Sequence, residues 1–232
     1  MLISRERFTV LAILVFCTLS ISTWIIWKGI DTHKNSFRAG LPPKDINQVI
    51  TPTTVDVTKL KPPAIRPQDH VRYGSATSSI SVIEYGDYAC DDCKQVAKII
   101  QNTLPAYNGK VRFIYHHLPI VDMHPIALDA AIFAECADRQ GLFWETHDAL
   151  MDADIINEST FSQIVKALKL DPNNMRACRA EPEISAAIQS NIEIARGDGV
   201  NGVPLIFIGT KGSYGIPSEE ELKAEINSYI IP

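Results

Sequence analysis

The stretch Ile80–Cys93, ISVIEYGDYACDDC, constrains the fold more than any other part of this chain. Ile80–Tyr85 is a short apolar run rich in β-branched and aromatic residues, which reads as a strand. Residues 94–104, KQVAKIIQNTL, set Val96, Ile99, Ile100 and Leu104 on one face of a helix. Cys90 and Cys93 therefore stand in the first turn of a helix that a strand feeds directly. Asn108-Gly109 marks a turn and Val111–Tyr115 the next strand, so this part is a strand, a helix and a strand.

The pattern over 122–196 is helical throughout. Pro125 opens one helix, Asp171-Pro172 supplies the cap and first residue of another, and Gly197 ends the last. Val203–Ile208 then reads as a strand, Gly209–Gly212 as a turn, and Ser213–Gly215 as a further short strand. Ser218 and Glu221 have the spacing of a capping box. The closing helix carries Leu222, Ile226, Tyr229 and Ile230 on one face. This is an α/β chain with an all-helical segment inserted between two halves.

The N-terminal part differs in character. Residues 8–27 contain no charge and are long enough to cross a bilayer as a helix, with Trp24 and Trp27 at one end. A retained transmembrane anchor within residues 1–30 is favoured over a cleaved signal peptide, because the apolar region is long and lacks a good small-x-small site. Residues 31–74 hold Pro42, Pro43, Pro52, Pro62, Pro63 and Pro67, and read as an extended linker before a domain at 75–232. Basic residues flank the apolar run on both sides, so charge does not orient it. The cysteines decide the compartment instead, since disulfides persist outside the cytosol. A net charge of −5 over 232 residues argues against a nucleic-acid partner.

A cysteine at a helix start gains most from its setting, because unpaired N–H groups and the helix dipole stabilise the thiolate. Cys90 is the expected nucleophile and Cys93 the thiol that resolves the mixed disulfide. The competing reading of CxxC is half of a zinc site. That needs two more ligands, and Cys136, Cys178, His116 and His117 are poorly spaced to supply them. No metal and no cofactor are expected. Glu84, six residues before Cys90, is expected to be buried in a central strand, where its pKa would rise and it could relay protons. Asp91 and Asp92 place negative charge beside the thiolate, which should make Cys90 less acidic and the couple less oxidising.

The segment IEYGDYACDDCKQ resembles the active-site entry of the DsbA-like family of thioredoxin-fold proteins. HHLPI, HPIALDAAIFAECADRQGLFWETHDAL and GVNGVPLIFIG resemble its later segments in the same order, over roughly residues 75–230. The resemblance implies a thioredoxin fold with an inserted helical subdomain at about 122–196. It also implies a secreted or anchored thiol–disulfide oxidoreductase, with Cys90 and Cys93 as the redox-active centre and Glu84 assisting proton transfer. Val203-Pro204 resembles the family's substrate-binding cis-proline loop. The family can carry a second, structural disulfide, for which Cys136 and Cys178 are the candidates, with free core thiols as the alternative. His117, Pro119, His124 and Trp144 match family positions, and packing or capping is the expected role of each.

The expected function is therefore formation or exchange of disulfides in reduced or unfolded extracytoplasmic proteins. The expected location is the periplasm, anchored to the inner membrane through residues 8–27 and served by a membrane redox partner; a soluble periplasmic form is the alternative. A reductase or isomerase kept reduced is the second reading, and a copper(I) metallochaperone the third.

Overall fold

The computed structural model describes residues 56–75 and 77–230. The apolar run 8–27, Cys17 and most of the proline-bearing segment lie outside those residues. Among the described residues no helix is long and apolar enough to cross a membrane.

Five strands form one mixed sheet: β1 (Val71–Arg72), β2 (Ile80–Gly86), β3 (Val111–His117), β4 (Leu205–Ile208) and β5 (Lys211–Tyr214), in the order β1-β3-β2-β4-β5. β2 is central. It runs parallel to β3, with Ile80 opposite Val111, and antiparallel to β4, with Tyr85 opposite Leu205. Six of its seven residues are buried, because helices cover both of its faces and no solvent side remains to select alternation. β1 and β5 are edge strands, each antiparallel to its neighbour.

The helix α1 (Asp91–Thr103) connects β2 to β3 and buries Cys93, Val96, Ala97 and Ile100. It packs between α3 (Phe143–Asp152) and the closing helix α7 (Glu219–Ile230). The capping box of α7 forms as its sequence indicates: Glu221 N–H donates to Ser218 Oγ at 3.1 Å and Ser218 N–H to Glu221 Oε2 at 2.8 Å. Leu222 and Ile226 are fully buried, whereas Tyr229 lies 41% exposed and so falls off the buried face.

The insertion comprises α2 (Ala127–Asp138), α3, α4 (Glu158–Ala167), α5 (Pro172–Arg179) and α6 (Pro182–Gly197). α2 is apolar nearly all round, and eight of its residues are buried, which makes it the axis of the subdomain. It packs on α3, α5 and α6. A disulfide joins Cys136 on α2 to Cys178 on α5, with a Cα–Cα distance of 5.7 Å. Asp171 caps α5 by accepting from Asn173 and Asn174 N–H at 2.8 and 2.9 Å, with Pro172 at the first helical position.

The ordered domain starts earlier than residue 75. β1 lies inside the segment read as linker. Trp144 Nε1 donates to Val71 O at 3.1 Å, and Arg72 donates to the Asp148 carboxylate at 2.7 Å through Nη2. A 3-10 turn at Val57–Lys59 also packs near β5. Two residues of strand leave no periodicity to read, and both anchors come from α3, more than seventy positions away.

Candidate active site

Cys90 is the N-cap of α1, with extended backbone (φ −91°, ψ 120°). Its Sγ accepts the Cys93 N–H at 3.4 Å, and its carbonyl accepts the Lys94 N–H at 3.1 Å, the first turn of the helix. Cys90 retains a small exposure of 9%, whereas Cys93, one turn on, has none. Both are free thiols in this structure. Cys90 thus keeps a margin of solvent contact that Cys93 beneath it lacks.

That difference sets their acidity. Hydrogen bonding from the Cys93 thiol draws Cys90 down to about 7. The Cys93 and Asp92 backbone N–H groups add to this, while burial and the Asp87 carboxylate oppose it. Cys93 is pushed far above the usual thiol range, first because it is the donor to Cys90, then by burial and by Glu84. Near neutral pH Cys90 carries the charge and Cys93 holds the proton, the assignment a nucleophile and a resolving thiol require.

Asp91 and Asp92 both face solvent, and Asp91 lies 3.8 Å from Lys94 Nζ. The carboxylate whose charge opposes the Cys90 thiolate is instead Asp87, which the sequence does not single out. Asp87 is 2% exposed. Its Oδ1 accepts Ala89 N–H at 2.8 Å, and its Oδ2 accepts Ile120 N–H at 2.9 Å and pairs with His124 Nδ1 at 2.8 Å. Its own carbonyl accepts Cys90 N–H at 3.1 Å. One side chain thereby ties the turn before Cys90 to the loop after β3. His124 consequently has a buried carboxylate as its hydrogen-bond partner as well as a packing role; an Asp just upstream of CxxC and a His just past the next strand are the only sequence signals of it.

Glu84 is fully buried between Tyr115 on β3 and Ile206 on β4. Burial, and secondarily Cys90, raise its pKa to about 8. Beyond it lies an aromatic group that sequence reading missed. Tyr88 Oη lies 3.2 Å from His147 Nδ1, the Tyr115 ring stacks edge-on to His147, and burial holds His147 well below the ordinary imidazole range. His117 lies 3.0 Å and His70 3.2 Å from Glu135 Oε1. Despite its own burial, Glu135 is held well below the usual carboxylate range by these two imidazoles.

Val203-Pro204 is a cis peptide bond. The register places Pro204 one position beyond the Tyr85–Leu205 pair, at the end of β2 from which the Cys90 turn departs. Pro204 is buried and its carbonyl accepts Gly215 N–H at 3.1 Å, while Val203 is half exposed. Cys90, Cys93, Glu84, Val203 and Pro204 thus gather at one end of the central strands. Cys136 and Cys178 lie apart, in the helical subdomain.

Three comparisons bear on this arrangement. The thioredoxin family matches residues 66–228. A thioredoxin-like oxidoreductase from Silicibacter pomeroyi DSS-3 superposes with a TM-score of 0.64 at 25% identity, covering 72% of this chain and 95% of that one. A periplasmic thioredoxin-like protein from Salmonella enterica serovar Typhimurium shares the fold with a TM-score of 0.62 at 21% identity, covering 72% and 92%. Among curated proteins, a Na(+)/H(+) antiporter NhaA 3 of Salinispora tropica is 29% identical over 210 residues, 90% of this chain. The chain spans about a third of the length of the curated relatives it matches first, 31% of that antiporter. With strand order, helical insertion, CxxC at a helix start and cis-proline all in place, the chain belongs to the thioredoxin family.

Proposed function

We propose that this chain exchanges disulfides with extracytoplasmic proteins through Cys90 and Cys93. The observation that carries the reading is the asymmetry of the pair: a partly exposed N-cap sulfur drawn down to about 7, and a sealed sulfur that keeps its proton. In the oxidising direction a substrate thiolate attacks Cys90 Sγ of the Cys90–Cys93 disulfide. The S–S electron pair leaves on Cys93 Sγ, which takes a proton from the Glu84 carboxyl. A second substrate thiolate then attacks the substrate sulfur of the mixed disulfide and releases Cys90 as a thiolate. The substrate has lost two electrons and the enzyme has gained them. A membrane redox partner would reoxidise the dithiol. Val203 supports strand-like pairing with an extended substrate, because it is half exposed beside the end of β2.

The Cys136–Cys178 disulfide supports an oxidising compartment. The uncharged run 8–27 supports attachment to the inner membrane, with the domain on the periplasmic side.

One observation favours a reductase or isomerase role. A nucleophile near 7 resembles the thioredoxin cysteine, at about 7, more than the strongly oxidising type at about 3.5. Less thiolate stabilisation means a less oxidising couple. Alkylation trapping of the redox state in cells separates the two: mostly disulfide supports the oxidase, mostly dithiol the reductase. Cys90→Ser that retains exchange with protein substrates would overturn both.

A further inference from the structure

Asp87 stands where its charge reaches the nucleophile. Its side chain is sealed from solvent and caps the turn that delivers Cys90. Oδ1 accepts Ala89 N–H at 2.8 Å, and the Asp87 carbonyl accepts Cys90 N–H at 3.1 Å. Oδ2 serves the loop after β3, accepting Ile120 N–H at 2.9 Å and meeting His124 Nδ1 at 2.8 Å. A carboxylate oxygen only accepts, so Nδ1 carries the hydrogen of that contact. Two of the three donors to this carboxylate are backbone N–H groups, whose charge is fixed. His124 is the third, and the only one that can gain or lose a proton.

The ring is placed to do so. His124 N–H donates to Ile120 O at 2.8 Å, so the residue that reaches Asp87 through its backbone also anchors the one that reaches it through its ring. The His124 side chain is 24% exposed, and among the described residues no protein group bonds its Nε2. Solvent can therefore load or unload Nε2 while Nδ1 stays on Asp87. With Nε2 protonated the pair is neutral. Without that proton, Cys90 meets an uncompensated buried carboxylate, which opposes its thiolate.

The other ionisable groups around Cys90 are engaged elsewhere. Glu84 on β2 is a buried carboxyl raised to about 8. On α1, Cys93 keeps its proton, Asp91 and Asp92 face solvent, and Lys94 donates to Asp154 O at 3.2 Å. Tyr88 is turned to His147 of α3, burial keeps Tyr115 of β3 protonated, and His117 is bonded to Glu135 of α2. On either side of His124 in the chain, Asp122 and Asp129 face solvent. Val203–Ile208, which closes the site from β4, brings no ionisable side chain.

We infer that His124 is a positioning residue for the Cys90 nucleophile: acting through Asp87, the proton on its Nε2 sets how readily Cys90 exists as a thiolate. The inference rests on Cys90 being the attacking sulfur. When the second substrate thiolate releases Cys90 from the mixed disulfide, the electron pair of the broken S–S bond stays on Cys90 Sγ, and His124 draws a proton from water. When Cys90 is oxidised again, that proton returns to water. The coupling is reciprocal: a charged His124 favours the thiolate, and the thiolate favours a charged His124.

His124→Asn tests this, because it keeps a neutral N–H donor near the Nδ1 position and removes the titration. In the reduced protein, alkylation of Cys90 by iodoacetamide at pH 6 should be about threefold slower in His124→Asn, as its pH profile moves up by about half a pH unit. In an Asp87→Asn background the same change should have no effect. In the unsubstituted protein the His124 imidazole is followed by nitrogen NMR, assigned through its ring-to-backbone couplings. It should titrate higher in the dithiol form than in the disulfide form, and Cys90→Ser should titrate like the disulfide form. Unchanged alkylation in His124→Asn, or a slowing that persists with Asp87→Asn, overturns the inference. So does a His124 titration that ignores the redox state, or one that rises equally in Cys90→Ser. Exchange with protein substrates that survives Cys90→Ser defeats the parent reading first, whatever His124 does.

Discussion

Replacing Glu84 by Gln should stabilise the protein at neutral pH, by an amount the burial of this carboxyl determines. The folded-state pKa is raised from 4.5 to about 8. Between those values the unfolded chain releases the Glu84 proton while the folded chain retains it, so the unfolded state binds fewer protons and stability falls as pH rises. Each pH unit across that window costs about 1.4 kcal/mol, or about 3 kcal/mol at pH 7 relative to acid conditions. Glu84 is wholly sealed from solvent, so screening takes little from this figure. Glutamine forgoes the titration but keeps a buried, polar side chain of the same shape. The two proteins should therefore be nearly equal in stability at pH 4 and diverge steadily to pH 8. Urea denaturation of the disulfide form at five pH values measures this without titrating thiols. Parallel pH profiles for the two proteins, or a less stable Glu84→Gln at pH 7, would refute the argument that burial governs this carboxyl.

Asp87→Asn should speed alkylation of Cys90 at pH 6, since the carboxylate opposes the thiolate. The same change should cost stability by about 1–3 kcal/mol, because one oxygen now serves Ala89, Ile120 and His124 less well. Asp91→Asn with Asp92→His should raise the reduction potential measured in glutathione buffers, but less than Asp87→Asn does, because both side chains are solvated. Cys136→Ala with Cys178→Ala should lower stability by about 4 kcal/mol on the loop-closure argument for a separation of 42 residues, with Cys90–Cys93 exchange retained. Asp171→Ala should cost about 1 kcal/mol through loss of the α5 cap, read in thermal unfolding.

The most legible parts were those whose cause is local. The CxxC at the head of α1, the Asp171-Pro172 start of α5, the Ser218–Glu221 capping box and the end of α6 at Gly197 each depend on residues within four positions of one another. The apolar content of Ile80–Tyr85 likewise announced a central strand and a buried Glu84. Less legible was anything that needed a distant partner. β1 is held by Trp144 and Asp148, and nothing in Val71-Arg72 signals a strand. Asp91 and Asp92 drew attention because they sit between the cysteines, yet in the first turn of α1 their side chains point to water. Asp87 points inward because the Ala89, Ile120 and His124 donors converge there.

The sequence by itself therefore determined which sulfur could ionise, since a helix start stabilises charge wherever the helix lies, and which strand would be sealed. Only the tertiary structure decided which charges that sulfur meets, that Cys136 and Cys178 come within bonding reach, and that Tyr115 lies beside Glu84. These are contacts between elements far apart in the chain. Their energies come from burial and from distance, and neither quantity exists until the sheet and helices have packed.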